Sequence, residues 1–185
     1  MRRGLAAIVL AAGMTSPAAG QEGLFLRESE ASAAVFPDAD QSKRLEFDAT
    51  PELRARIESR LAGTTPSLWE ERWIVFRAVH DGTTLGHALI VEEIGKHRPI
   101  TFVVGVRPDD SIADVAVMAY REAYGGEIKN ERFLRQYRGK RAADPLRSPR
   151  QITNVAGATL SVEAASRAVR KAQAVALALG LATAP

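Results

Sequence analysis

The stretch Ile152-Thr153-Asn154-Val155-Ala156-Gly157-Ala158-Thr159-Leu160-Ser161 is where residue types and spacing point to chemistry, because an amphipathic helix follows it directly. Gly157 permits a positive φ, Ala158 leaves room for a bulky group, and Thr159 presents a hydroxyl where the amides of a starting helix are unpaired. Such a corner suits a phosphate, since the positive end of a helix dipole favours an attached anion by ~0.3–1 kcal/mol when exposed. The same residues also suit a plain helix start, with Thr159 or Ser161 as the N-cap. Elsewhere chemistry is scarce. The chain has no Cys, which excludes thiol catalysis, disulfides, Cys-ligated zinc and iron–sulfur clusters within it. Its three histidines, His80, His87 and His97, lack ligand-like spacing, so no metal is expected. There is no His-Glu-x-x-His, Gly-x-Ser-x-Gly, P-loop or Gly-x-Gly-x-x-Gly, and no residue is singled out as catalytic.

The elements that must hold this corner follow from periodicity. Val162, Ala165, Val169, Ala172, Ala176 and Leu179 form one stripe of a helix over 162–179, with Gly180 as its stop. The alanine in that stripe lets the helix approach a sheet or partner closely. Upstream, residues 69–78 carry apolar side chains on both parities, and His80-Asp81-Gly82-Thr83 supplies a turn. Residues 85–94, 99–106 and 112–120 read as further strands, the last two separated by Arg107-Pro108-Asp109-Asp110. Four such strands in succession predict an antiparallel meander, and with the helices an α+β fold. Thr50-Pro51 starts a helix over 51–62, in which Leu53, Ile57 and Leu61 recur until Gly63. Residues 129–137 read as a short helix with Arg132, Arg135 and Arg138 on a solvated face, and 140–150 as a loop.

The N-terminus changes what the composition means. The 185 residues, 46% of them hydrophobic, fit one domain with a sizeable core. Met1-Arg2-Arg3, an apolar run over 4–14 and the small residues Ser16-Pro17-Ala18-Ala19-Gly20 have the three-part layout of a secretory signal peptide. That run is short of the roughly 20 residues of a membrane-spanning helix, an uncleaved anchor being the alternative. Removing Arg2 and Arg3 from the 25 basic residues leaves 23 against 22 acidic ones, and the net charge falls from +3 to +1. Nucleic-acid binding therefore loses its support. The expected organisation is a signal peptide over 1–20, a loosely attached extension over 21–45 with a short strand or turn near Phe36-Pro37, and one domain over 46–180. An exported, periplasmic or otherwise extracytoplasmic protein is expected.

Gly157-Ala158-Thr159, with Leu160-Ser161 behind it, resembles the flavinylation motif of the FMN-binding domain family. That family includes the covalent flavin subunits of the Rnf complex and of the sodium-pumping NADH:quinone reductase, and related extracytoplasmic flavoproteins. Its motif reads Asp-x-x-(Ser/Thr)-Gly-Ala-(Ser/Thr), and the last hydroxyl carries FMN through a phosphoester. The blocks from Ile94 to Phe102 and from Tyr120 to Ile128 are similar to the strand and glycine turn that precede the motif. Thr153 and Ala156 stand where the motif has Asp and Ser/Thr.

The resemblance implies that Thr159 accepts FMN from FAD, delivered by a separate flavin transferase with release of AMP. It extends the cofactor-binding set to Ala156, Gly157 and Ala158, to Glu122, Tyr124, Gly125 and Gly126 at the glycine turn, and to Lys96, His97 and Thr101 in the strand block. Tyr120, Tyr124 and Phe102 are candidates to border the flavin ring or to belong to the core. Lys96 and His97 are candidates to balance the charge of a reduced flavin or its phosphate, or to be ordinary solvated side chains. The function implied is electron transfer between redox partner proteins at the membrane. The alternatives are a reductase holding FMN noncovalently and a non-redox binding or sensor module that has lost flavinylation.

Overall fold

The computed structural model describes residues 23–61, 65–146 and 150–184. The signal-like residues 1–20 and the last position of the helix expected over 51–62 lie outside the described residues.

The four expected strands form as β3 (Arg72–His80), β4 (Thr83–Ile94), β5 (Pro99–Val106) and β6 (Ile112–Tyr120). Their β-branched and aromatic residues are buried on both faces for much of their length, which favours strand over helix. Asp81 and Gly82 both take positive φ, 48° and 74°, and so make the two-residue turn that pairs His80 with Thr83. Two strands come before these four: β1 (Gly23–Leu24) and β2 (Gln41–Asp48). The six-stranded order is β1-β6-β5-β4-β3-β2, antiparallel throughout, so the α+β meander is the architecture.

On one face lies the long C-terminal helix, numbered α4 here (Thr159–Ala178), after α1 (Ala31–Val35), α2 (Pro51–Glu58) and α3 (Glu131–Leu134). Its Val162, Ala165, Val169, Ala172 and Ala176 are wholly buried against Leu89, Val91, Phe102 and Val104. Each fully buried Val or Leu contributes about 1.5–3 kcal/mol of hydrophobic stabilisation. The opposite face has a smaller core, in which Val35 and Phe36 at the end of α1 cover Phe76, Ala88 and Val103.

Two charged residues fix where α4 sits along the sheet. Lys171 and Glu93 are both 0% exposed, with Lys171 Nζ 3.0 Å from Glu93 Oε1 and 2.8 Å from Glu70 Oε1. Arg167 reaches Glu93 Oε2 at 3.1 Å and donates to the Ile94 carbonyl at 2.7 Å. The backbone N–H of Ser67 also donates to Glu93, so the segment over 65–70 is tied into the same cluster. Buried charges persist only when paired and hydrogen-bonded, and sliding α4 by one turn would separate these pairs.

The N-terminal segment is less loose than its composition implies. Gly23 pairs with Tyr120, the N–H groups of Phe25 and Leu26 both donate to the Met118 carbonyl, and α1 buries Ala31 and Val35. Near Phe36-Pro37 the structure has the end of α1, and strand β2 starts at Gln41 and crosses the boundary expected at 45/46. Thr50 caps α2 as expected, accepting from Leu53 N–H, but α2 ends at Glu58. The helix expected over 129–137 is three short pieces: a 3-10 turn (Gly126–Lys129), α3, and another 3-10 turn (Arg135–Tyr137). At the other end of the chain, the Thr183 N–H donates to the Pro108 carbonyl at 2.9 Å, beside the β5–β6 turn. Among the described residues no helix is long and apolar enough to cross a membrane.

Candidate functional site

One end of the sheet gathers the turn after β4 (residues 95–98), the end of β6, the glycine turn and the first turn of α4. Tyr120, the last residue of β6, has a buried ring, and its hydroxyl donates to the Tyr124 carbonyl and lies 3.1 Å from Ser161 Oγ. Burial raises the Tyr120 phenol above its ordinary pKa, with the Ser161 contact opposing, so it stays a neutral structural hydroxyl. Gly125 has φ +82°, and a Cβ there would stand 2.7 Å from Ser161 Oγ and 2.9 Å from the Tyr120 hydroxyl oxygen. Only glycine lets the turn press this closely on the helix start.

Ser161 is therefore committed to Tyr120, and Thr159 is the first residue inside the helix, so neither is the N-cap. That position is Ala158, which has no capping side chain. The first helical bond within reach runs from Val162 N–H to the Ala158 carbonyl, which leaves the amides of Thr159, Leu160 and Ser161 without intrahelical acceptors. Ala158 is buried, whereas Ala156, Gly157 and Thr159 are exposed. Gly157 has φ +79° and open space where a Cβ would be. Thr159 Oγ1 accepts a hydrogen bond from Asn154 Nδ2 at 2.9 Å.

Beside this corner, a cleft of about 520 Å³ opens between α3 and residues 153–155, lined by Arg132, Phe133, Gln136, Thr153, Asn154 and Val155, among others. Small-molecule sites usually measure roughly 300–1,000 Å³. The Asn130 side chain caps α3 by accepting from Arg132 N–H, and Gln136 Oε1 accepts from Thr153 N–H at 2.8 Å. The 3-10 turn after α3 and the approach to the corner are thus pinned together. Arg135 and Arg138 pair with Glu131, and Arg138 also with Asp114, while Arg132 of the same expected solvated face lines the cleft.

Glu122 is buried, and its Oε1 accepts from the backbone N–H groups of His97 and Arg98. Burial pushes the Glu122 carboxyl up, but the amides of Arg98, His97 and Lys96 more than offset this and hold it below the ordinary glutamate value. Its carboxylate braces the 95–98 turn. Lys96 and His97 enter that bracing through their backbones, with exposed side chains. Gly126 packs on Lys129, and Tyr124 gives Tyr120 its carbonyl while leaving its own side chain 84% exposed. Thr101 lies apart from the corner. Its neighbours Ile100 and Phe102 point into the α4 core, so Thr101 faces the other side of the sheet. There it donates to Glu92 and accepts from Arg121. Phe102 is core. Asn154, within the motif, and Gln136 were passed over in the sequence, while Ser161, expected as a possible N-cap, bonds Tyr120 and Arg132, expected on a solvated face, lines the cleft.

This α+β fold thus carries, at one end of its six-stranded meander, an uncapped helix start and an exposed hydroxyl, an arrangement whose free amides can accept a phosphate. The model of the FMN-binding domain family matches residues 95–174, from the turn after β4 into α4. That match supports flavin binding, with FMN as the cofactor. No curated protein matches the chain.

Proposed function

We propose that the protein is an extracytoplasmic electron-transfer flavoprotein with FMN esterified to Thr159, serving redox partner proteins at the membrane. The carrying observation is the exposed Thr159 hydroxyl at the uncapped start of α4, hydrogen-bonded to Asn154, which lines the 520 Å³ cleft. The residues present fit the group. The amides of Thr159, Leu160 and Ser161 would hold the phosphate, and the open space beside Gly157 leaves room for it. Arg132 is a cation for an anionic or carbonyl edge, and Phe133 and Val155 offer apolar cleft surface. When bound, FMN supplies exchange of one or two electrons, while the chain supplies position and electrostatics.

Glu122 supports a carrier over an enzyme acting on its own organic substrate. It is the buried carboxylate that precedes the glycine turn, and it is ionised and committed to backbone amides. The layout of residues 1–20 supports export. The test is co-expression with a flavin transferase followed by intact-mass measurement under denaturing conditions. Wild type is expected to gain one FMN-sized increment and Thr159→Ala none. Flavin released by denaturation would support a noncovalent reductase instead, and absence of flavin under all conditions a module that has lost the cofactor.

A further inference from the structure

We propose that Asn154 is a positioning residue for attachment, holding the Thr159 hydroxyl so that one lone pair and the proton face outward; this rests on the Thr159 reading above. Asn154 Oδ1 accepts from Val155 N–H at 2.9 Å, which assigns the oxygen end of the amide and leaves Nδ2 to donate to Thr159 Oγ1 at 2.9 Å. The preceding Thr153 N–H is fixed on Gln136 Oε1, so the donor is mounted on a segment anchored to the 3-10 turn (Arg135–Tyr137) that follows α3.

A threonine hydroxyl has one proton and two lone pairs. Asn154 occupies one lone pair, which locks the side-chain torsion and leaves the other pair available as the nucleophile. In transfer from a flavin adenine dinucleotide, a bond forms between Oγ1 and the phosphorus on the FMN side. The bond from that phosphorus to the AMP phosphate oxygen breaks, AMP departs with the electron pair, and the Oγ1 proton passes to a base of the transferase or to solvent. No electron is exchanged. A neutral N–H donor suits this step twice: it does not repel the arriving phosphate, and it can continue to donate once Oγ1 has lost its proton. A carboxylate there would instead accept the hydroxyl proton and turn it inward.

Asn154→Asp is the discriminating variant, since it retains the size of the side chain and the acceptor for Val155 N–H but replaces the donor. Purified full-length proteins are incubated with FAD, Mg²⁺ and a flavin transferase, and the FMN-sized mass increment is followed in time. The expected initial rate for Asn154→Asp is at least ten-fold below wild type, with an unchanged melting temperature. The deficit relative to wild type at the same pH should about halve between pH 7 and pH 5, because roughly a tenth of ordinary Asp carboxyls are protonated there and can donate again. A rate within two-fold of wild type, or a deficit that does not narrow with falling pH, overturns the role of Asn154 while the Thr159 reading stands. A wild type that gains no increment overturns that reading, and the role of Asn154 with it.

Discussion

The first turn of α4 and its middle are the same helix under opposite rules. At Thr159 and Leu160 the side chains are open to solvent, with Leu160 45% exposed, and the starting amides lack a side-chain cap. Three turns on, Lys171 is 0% exposed and divided among Glu70, Glu93 and the Glu92 carbonyl. The middle is over-determined so that the start can be left unsatisfied. A helix held in register by buried ion pairs keeps its first turn in place without a cap, and placement errors as small as 1 Å matter for group transfer.

The largest expected effect lies in the middle. Lys171→Met leaves Glu70 facing a buried void of charge and should cost about 3–5 kcal/mol in urea unfolding; a loss under 1 kcal/mol would mean that the cluster does not set the register. Next comes Gly125→Ala, which meets a left-handed φ as well as the Ser161 and Tyr120 oxygens. A stability loss of about 1–3 kcal/mol is expected, together with slower FMN attachment, because it displaces the helix start.

Third is a pH effect from the far end of the sheet. His87 is 5% exposed and neither ring nitrogen has a hydrogen-bond partner of normal geometry among the described residues. Burial and the Arg77 charge lower its pKa to about 4, with the Leu181 backbone offsetting only part. With the folded value below the unfolded one near 6.5, the unfolded state binds more protons below pH 6.5, so stability falls as pH drops towards 4. Between pH 8 and pH 5 this contributes about 2 kcal/mol, a component that His87→Gln should remove from the pH profile. The smallest effect on stability belongs to Thr159→Ala, within about 0.5 kcal/mol for an exposed site, although it should abolish the mass increment. If stability and labelling fell together in Lys171→Met and in Thr159→Ala, the contrast between the two halves of α4 would not hold.

The meander and α4 were legible because burial on both faces and the helical stripe of alanine and valine leave strong periodic signals. The Asp81-Gly82 turn could be read from two residues whose backbones tolerate positive φ. The strand β2 was not legible, since only Leu45 and Phe47 carry its apolar parity and the first four of its eight residues are polar and exposed. A five-residue α1 is too short for any periodicity. In the site, the Gly-Ala-Thr corner was evident from local backbone chemistry, and Asn154 sat in view five residues before the hydroxyl it meets. The cleft was not evident, because it needs α3 and the 3-10 turn after it to fold back on residues 153–155, held there through Gln136. Glu122 illustrates the limit of resemblance: its place beside the glycine turn was foreseen, but its bracing of the 95–98 turn depends on a contact across the sheet end.

The pairing of Gly23 with Tyr120 and the bond from Thr183 to Pro108 place the first and nearly the last of the described residues at opposite ends of β6. At a rise of about 3.3 Å per residue, those ends stand roughly 26 Å apart along the strand. A leash fastened ahead of Gly23 therefore pulls on the rim that bears Thr159, whereas one fastened behind Thr183 pulls on the other. Immobilising the protein on an electrode by a leash ahead of Gly23 or behind Thr183 would present the Thr159 corner to the surface or turn it away.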